Sequence, residues 1–158
     1  KLVSIGAYCL MPNHFHILAT EKTEGGISKS MQKVSTGYVM YYNQKYKRTG
    51  SLFEGKFKSQ HLSTDRYLKY IFSYIHLNPI KLIQKDWKEV GIKDKSAALD
   101  YLATHQYSSY TDYAGTDRVL KGIIDKSSFP EYFPSPKHFN KEVFEWLSYN
   151  DSDEVLPR

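Results

Sequence analysis

Two histidines set one residue apart, His14 and His16, are the first side chains in the sequence with an evident chemical use. On a β-strand, residues i and i+2 point to one face, so both imidazoles project together while Phe15, Ile17 and Ala19 turn the other way, free to enter a core. Two neutral imidazoles on a rigid face make half of a divalent-metal site. The same alternation also fits a plain polar face on an amphipathic strand. A second group lies on the stretch Asp65–Leu77, where Leu68, Ile71, Phe72 and Ile75 form a helical apolar stripe. Tyr67, Tyr70, Tyr74 and Asn78 fall on an adjoining face, because positions three and four apart stack along a helix. Tyr74 and Asn78 could therefore address one ion together, with a phenol and an amide oxygen. Spacing does not separate Tyr74 from Tyr70, and these tyrosines could equally form the half-buried rim of the helix. His76 lies on another side, as a surface or packing residue.

Charge is concentrated between these groups. From Lys45 to Lys69 the chain carries seven basic residues (Lys45, Lys47, Arg48, Lys56, Lys58, Arg66 and Lys69) against two acidic ones, an excess equal to the whole formal net charge of +5. Tyr46, Phe53, Phe57 and Tyr67 are interleaved with them. Cations for phosphates and aromatic faces for bases describe a nucleic-acid-binding strip. A solvated lysine-rich face is the plainer alternative.

The elements that must position these residues follow from periodicity. Leu2–Leu10 alternates as a strand, Met11-Pro12-Asn13 breaks it, and His14–Thr20 alternates again, which predicts an antiparallel hairpin. Ile27–Lys47 lacks proline and spaces Ile27, Met31, Val34, Tyr38 and Tyr41/Tyr42 as the apolar stripe of a helix, stopped by Thr49-Gly50. Ser51–Leu62 reads as an extended strand with a basic face. Ser63-Thr64-Asp65 offers N-caps for a helix to about Leu77, and Asn78-Pro79 ends it. Beyond Leu82 the pattern predicts short helices at Ser96–Thr104 and Arg118–Ile124, a Tyr- and Ser-rich loop at Tyr107–Tyr113 and a proline-broken stretch at Phe129–His138. A last helix at Asn140–Ser148 then precedes an acidic tail.

Length and composition bound the class. The 158 residues suit one domain, and 41% apolar with 25% charged residues is a globular balance rather than a disordered one. No apolar run approaches the roughly 20 residues that span a bilayer, and no basic segment followed by an apolar one opens the sequence as a secretory signal would. The single cysteine, Cys9, has no internal partner, which suits a reducing cytoplasmic setting.

Taken in order, these segments resemble a known family. Tyr8-Cys9-Leu10-Met11-Pro12-Asn13-His14-Phe15-His16-Ile17-Leu18 is similar to the metal-binding hairpin of single-tyrosine HUH transposases of the insertion-sequence-200-like kind, especially the REP-associated tyrosine transposases. The basic run Arg48–Ser59, the segment Tyr74-Ile75-His76-Leu77-Asn78-Pro79 and the later Tyr107-Ser108-Ser109-Tyr110 resemble its following motifs, so the resemblance covers roughly Tyr8–Tyr113.

The resemblance implies what spacing leaves open. His14 and His16 become metal ligands, Tyr74 the nucleophile, Asn78 the third protein ligand, and Tyr70 a flanking residue. It implies Mg²⁺ or Mn²⁺ as cofactor and single-stranded or hairpin DNA as partner, in a monomer or homodimer away from membranes, in a bacterial or archaeal cytoplasm. Lys45, Lys47, Arg48, Lys56, Lys58, Arg66 and Lys69 would then track the DNA backbone, with Phe53, Phe57, Tyr67 and Tyr70 available for stacking. The fold it implies is α+β, an antiparallel sheet with packed helices in the ferredoxin-like HUH arrangement. A catalytic domain over 1–85 would be followed by a helical extension over 86–158. The family's usual first strand and helix have no counterpart ahead of Tyr8, since only seven residues precede it. The expected activity is cleavage and rejoining of single-stranded DNA through a 5′-phosphotyrosine, and the alternative is a DNA-binding module of the same ancestry without catalysis.

Overall fold

Val3–Leu10 (β1) and Phe15–Glu21 (β2) pair antiparallel, and Met11 N–H donates to the His14 carbonyl at 2.8 Å to close the hairpin. The computed structural model describes residues 1–147, and its architecture is α+β: this two-stranded sheet with helices packed against it. The register sets Cys9 opposite His16 and Ala7 opposite Leu18, and directly opposed residues share a face. Ala7, Cys9 and Leu18 are buried in the core beneath the helix Asp65–Leu77 (α2), so the histidine side of β2 is the covered side. This reverses the expectation for Phe15, Ile17 and Ala19: Ile17 is exposed and the other two are only half-buried. The small side chains Ala7 and Cys9 leave room for α2 to approach on the histidine face, which is why the core forms there.

α2 begins where expected, with the Thr64 hydroxyl accepting from Tyr67 N–H at 3.2 Å. Phe72, Ile75 and Leu77 are buried, while Leu68 and Ile71 pack on the core edge. The chain then tightens into a 3-10 turn, Asn78–Leu82, with Pro79 in its first turn where a missing N–H costs nothing.

The helix Gly26–Tyr46 (α1) forms as its spacing predicts, but its stripe does not enter the core. Only Gly26 is buried; Val34, Tyr38 and Tyr41 are exposed. A helix of 21 residues is about 30 Å long, whereas two paired strands offer a surface only about 10 Å wide. The helix start comes close to the sheet: a Cβ on Gly26 would lie 2.3 Å from the Leu2 carbonyl oxygen.

The expected strand at Ser51–Leu62 is not one; these residues bend through irregular backbone. The Ser51 hydroxyl takes the Phe53 N–H at 3.2 Å and gives its own proton to the Phe53 carbonyl at 2.7 Å, which uses locally the groups a ladder would need. Phe53 and Phe57 stay on the surface, so no buried face fixes a register.

The second half contributes Trp87–Val90 (α3), Lys95–Thr104 (α4), Tyr110–Tyr113 (α5) and Pro136–Leu147 (α6). The expected loop at Tyr107–Tyr113 is part helix: all four residues of α5 are buried, and Ser108 bridges Cys9 on the edge of β1. The expected helix at Arg118–Ile124 is a 3-10 turn, Val119–Ile123, with no buried residue to hold a longer one. α6 starts at Pro136, ahead of the expected Asn140, since proline suits a first helical turn. The acidic tail lies outside the described residues.

One core joins these parts. Phe72 meets Phe129, Tyr132, Phe133 and Tyr113 edge-on at centroid distances of 5.8 to 6.0 Å. Phe129 also sits on β1, where a Cβ at Gly6 would come within 2.8 Å of its ring. Beside it, Asp125 accepts from Lys1 at 2.5 Å, Ser4 at 2.7 Å and Ser128 at 3.0 Å. These donors, Lys1 foremost, hold its carboxyl well below the usual carboxylate range. A depressed folded-state pKa stabilises above the unfolded value of about 4 and loses that contribution as pH falls toward the folded value. Asp125→Asn is therefore expected to lower the melting temperature at pH 7, and the gap from the parent chain to narrow in scans below about pH 4.

Candidate active site

The hairpin and α2 bring three of the singled-out side chains together within one chain. The His14 and His16 rings stand edge-on with centroids 5.1 Å apart, and the Tyr74 ring meets His16 edge-on at 5.6 Å. β2 presents His16 on the face covered by α2, His14 immediately precedes that strand, and Tyr74 reaches His16 from α2. Along the helix Tyr67, Tyr70 and Tyr74 stack at 6.3 and 6.2 Å, nearly parallel, so the face read from the spacing exists as a column of rings.

The imidazoles differ in setting. His14 is exposed, and its Nδ1 pairs with Asn13 Oδ1 at 2.8 Å, which orients the ring and leaves Nε2 with its lone pair. Burial, and then the charges of His14, Lys81 and Lys88, push the His16 pKa down to about 4. His16 is thus a neutral imidazole at neutral pH, the form that ligates a metal.

Asn78 is fully buried at the end of α2, and neither Oδ1 nor Nδ2 has a hydrogen-bond partner. A buried amide left unpaired costs about 1–3 kcal/mol, so its persistence asks for a reason. An oxygen donor of this kind suits a hard divalent ion. Among the described residues no cluster of three or more His, Cys, Asp or Glu side chains is placed to hold a metal. The Asn78 amide is the third group that the family resemblance nominates, a harder donor than the thiolates of a sulfur-rich zinc site.

His76, expected on the surface or in packing, is fully buried and pairs through Nε2 with Ser109 Oγ at 2.7 Å. The same hydroxyl accepts from Tyr8 N–H at 2.9 Å, tying α2 to the strand that carries the hairpin. Cys9, with its thiol pKa pushed by burial up to about 12, is a packing residue rather than a nucleophile.

The basic strip is spread over three elements. Lys45, Lys47 and Arg48 lie at the end of α1, Lys56 and Lys58 on the exposed irregular segment, and Arg66 on the first turn of α2. Lys69 forms an ion pair with Glu142 of α6 at 2.7 Å. Phe53 packs edge-on against Phe15 at 6.5 Å, and Phe57 is exposed.

Sequence reasoning missed two cations at the site. Lys88 of α3 places its ammonium 4.0 Å from the centroid of the Tyr74 ring, and Lys81 contributes to the field at His16. Lys81 stands three residues beyond Asn78, but Lys88 lies where the periodicity fades, and no motif marks it.

Comparison with known proteins adds one finding. Residues 1–78 match the family model described as "Transposase IS200 like", a span that contains the hairpin, the basic strip, Tyr74 and Asn78. No curated protein and no solved structure matches the chain significantly. Membership of a transposase family implies DNA binding and a nuclease-type activity, and among the described residues no helix is long and apolar enough to cross a membrane. Over residues 1–78 the chain belongs to the IS200-like transposases.

Proposed function

We propose that the protein cleaves and rejoins single-stranded DNA at hairpin-forming sites, with Tyr74 as nucleophile acting on DNA bound at its own chain's histidine pair. The observation that carries this reading is the 5.6 Å approach of the Tyr74 ring to His16, itself 5.1 Å from His14. His14, His16 and Asn78 would hold Mg²⁺ or Mn²⁺, and the ion when bound supplies Lewis-acid polarisation of the scissile phosphate.

Tyr74 Oη attacks phosphorus, a new P–O bond to the phenol forms, and the bond to the 3′ oxygen breaks. The phenolic proton leaves as the 3′ oxygen becomes a hydroxyl, so atoms and charge balance without ATP. One phosphodiester has replaced another, and attack by a 3′-hydroxyl on the phosphotyrosine reverses the step. Lys88, above the ring, favours negative charge as it develops on the phenol, and with Lys81 it draws the anionic strand toward the histidines. Lys56 and Lys58, exposed on the irregular segment, would follow the DNA backbone.

The test is incubation with a labelled hairpin-bearing oligonucleotide and Mg²⁺ or Mn²⁺. Expected are a product with a free 3′-hydroxyl and a covalent protein–DNA adduct, both lost in EDTA and regained when metal is restored. Undiminished cleavage in EDTA would remove the metal from the account. Tight binding with no adduct under any metal would leave a DNA-binding module.

A further inference from the structure

The exposed side of α1 is a single-strand track that leads to the histidine hairpin, and we infer that bases of bound DNA stack on Tyr46, Tyr42 and Tyr38. This inference rests on the DNA-cleaving reading above and assigns it a binding surface. The rings form a continuous series: Tyr46 to Tyr42 at 4.4 Å, Tyr42 to Tyr38 at 6.0 Å, Tyr38 to Phe53 at 6.2 Å and Phe53 to Phe15 at 6.5 Å. Its last member, Phe15, opens the strand that carries His16, with its side chain on the opposite face of the hairpin from the imidazoles. Tyr46 and Tyr38 are 56% and 50% exposed, far too open for core residues.

Cations accompany the rings. Lys45 Nζ lies 5.5 Å from the Tyr46 ring and 5.6 Å from that of Tyr41, and the Arg48 guanidinium lies 5.8 Å from Tyr42. From Gly25 to Phe53 the chain carries Lys29, Lys33, Lys45, Lys47 and Arg48 and no carboxylate. Such a surface complements a polyanion. A second copy of the same helix would instead set lysines against lysines, and a two-stranded sheet does not cover the face. Aromatic platforms beside phosphate-binding cations bind single strands with little sequence preference, because every base has a face to stack. A duplex keeps its bases stacked internally and gains only the cations.

The experiment measures binding of labelled oligothymidylate to the full chain by fluorescence anisotropy, in parallel with a duplex of equal length. The combined substitution Tyr38→Ala, Tyr42→Ala, Tyr46→Ala is compared with the corresponding Tyr→Phe set. These positions are on the surface and alanine favours helix, so circular dichroism should be unchanged. The alanine set should weaken single-strand binding by about tenfold or more, with duplex binding nearly unaffected. Its salt slope should match the parent chain, since no cation has been removed. The phenylalanine set should bind like the parent.

Unchanged single-strand affinity in the alanine set overturns the inference, as does an equal loss on duplex. Dissociation of a dimer on sedimentation, with oligonucleotide affinity intact, also overturns it and makes the face a contact between copies. Because the readout is binding, the track stands if the alanine set behaves as expected even where no covalent adduct forms, and then only the cleavage reading falls.

Discussion

Replacing Tyr74 with phenylalanine is expected to abolish covalent attachment to DNA while leaving oligonucleotide affinity within about twofold. The substitution removes one oxygen and keeps the ring, so the edge contact to His16 at 5.6 Å and the stack on Tyr70 at 6.2 Å persist. The Lys88 ammonium, 4.0 Å from the ring centroid, keeps a π face to sit on. What disappears is the only atom of the side chain able to bond phosphorus. Tyr70→Phe is the matched control, since Tyr70 occupies the same column one turn earlier, stacked between Tyr67 and Tyr74. It should retain the adduct. Loss of the adduct in Tyr70→Phe and its survival in Tyr74→Phe would reverse the assignment.

The second large effect concerns stability. Asp112 is buried in α5, and Arg118 holds both its oxygens, Nε to Oδ1 at 2.8 Å and an Nη to Oδ2 at 2.6 Å. The same guanidinium donates to the carbonyls of Gln106 and Ser108 at 2.6 and 2.5 Å and to the Tyr8 hydroxyl at 3.0 Å. One side chain thus clamps the segment after α4 to β1, the strand that backs the histidines. Arg118→Ala leaves a buried carboxylate without its bidentate partner and takes a donor from two carbonyls, a loss of about 3–5 kcal/mol. For a chain of this length that is a fall of roughly 10 °C in melting temperature, read by calorimetry or circular dichroism. Asp112→Asn together with Arg118→Leu should recover part of the loss, because removing both charges removes the buried uncompensated one. A shift of a degree or less in Arg118→Ala would show that the clamp contributes nothing.

How far the sequence could be read depended on whether a residue's surroundings were local. The hairpin was legible because alternation broken by Met11-Pro12-Asn13 admits little else, and α2 was legible from its cap and its stripe. The stacking of Tyr67, Tyr70 and Tyr74 followed from helical spacing alone. Which face of β2 would be covered was not legible. That depends on the small residues Ala7 and Cys9 opposite Leu18 and His16, a pairing set by register. The fate of α1 was equally non-local: its stripe has helical periodicity, but the surface it meets is only two strands wide. Ser51–Leu62 read as an extended strand with a basic face, yet a strand needs a neighbour and the Ser51 hydroxyl offers a local alternative. Lys88 was invisible because it reaches Tyr74 from a four-residue helix across the fold.

The central claim is that Tyr74 is the atom source for a covalent DNA bond formed beside His14 and His16. It is tested most directly by trapping the adduct on a hairpin oligonucleotide in Mn²⁺, digesting the protein and DNA, and locating the modified residue by mass spectrometry. Expected is a 5′-phosphonucleotide on Tyr74 in wild-type protein and none in EDTA. A nucleotide on Tyr70 or any other tyrosine, or cleavage with no protein-linked nucleotide at all, would contradict it.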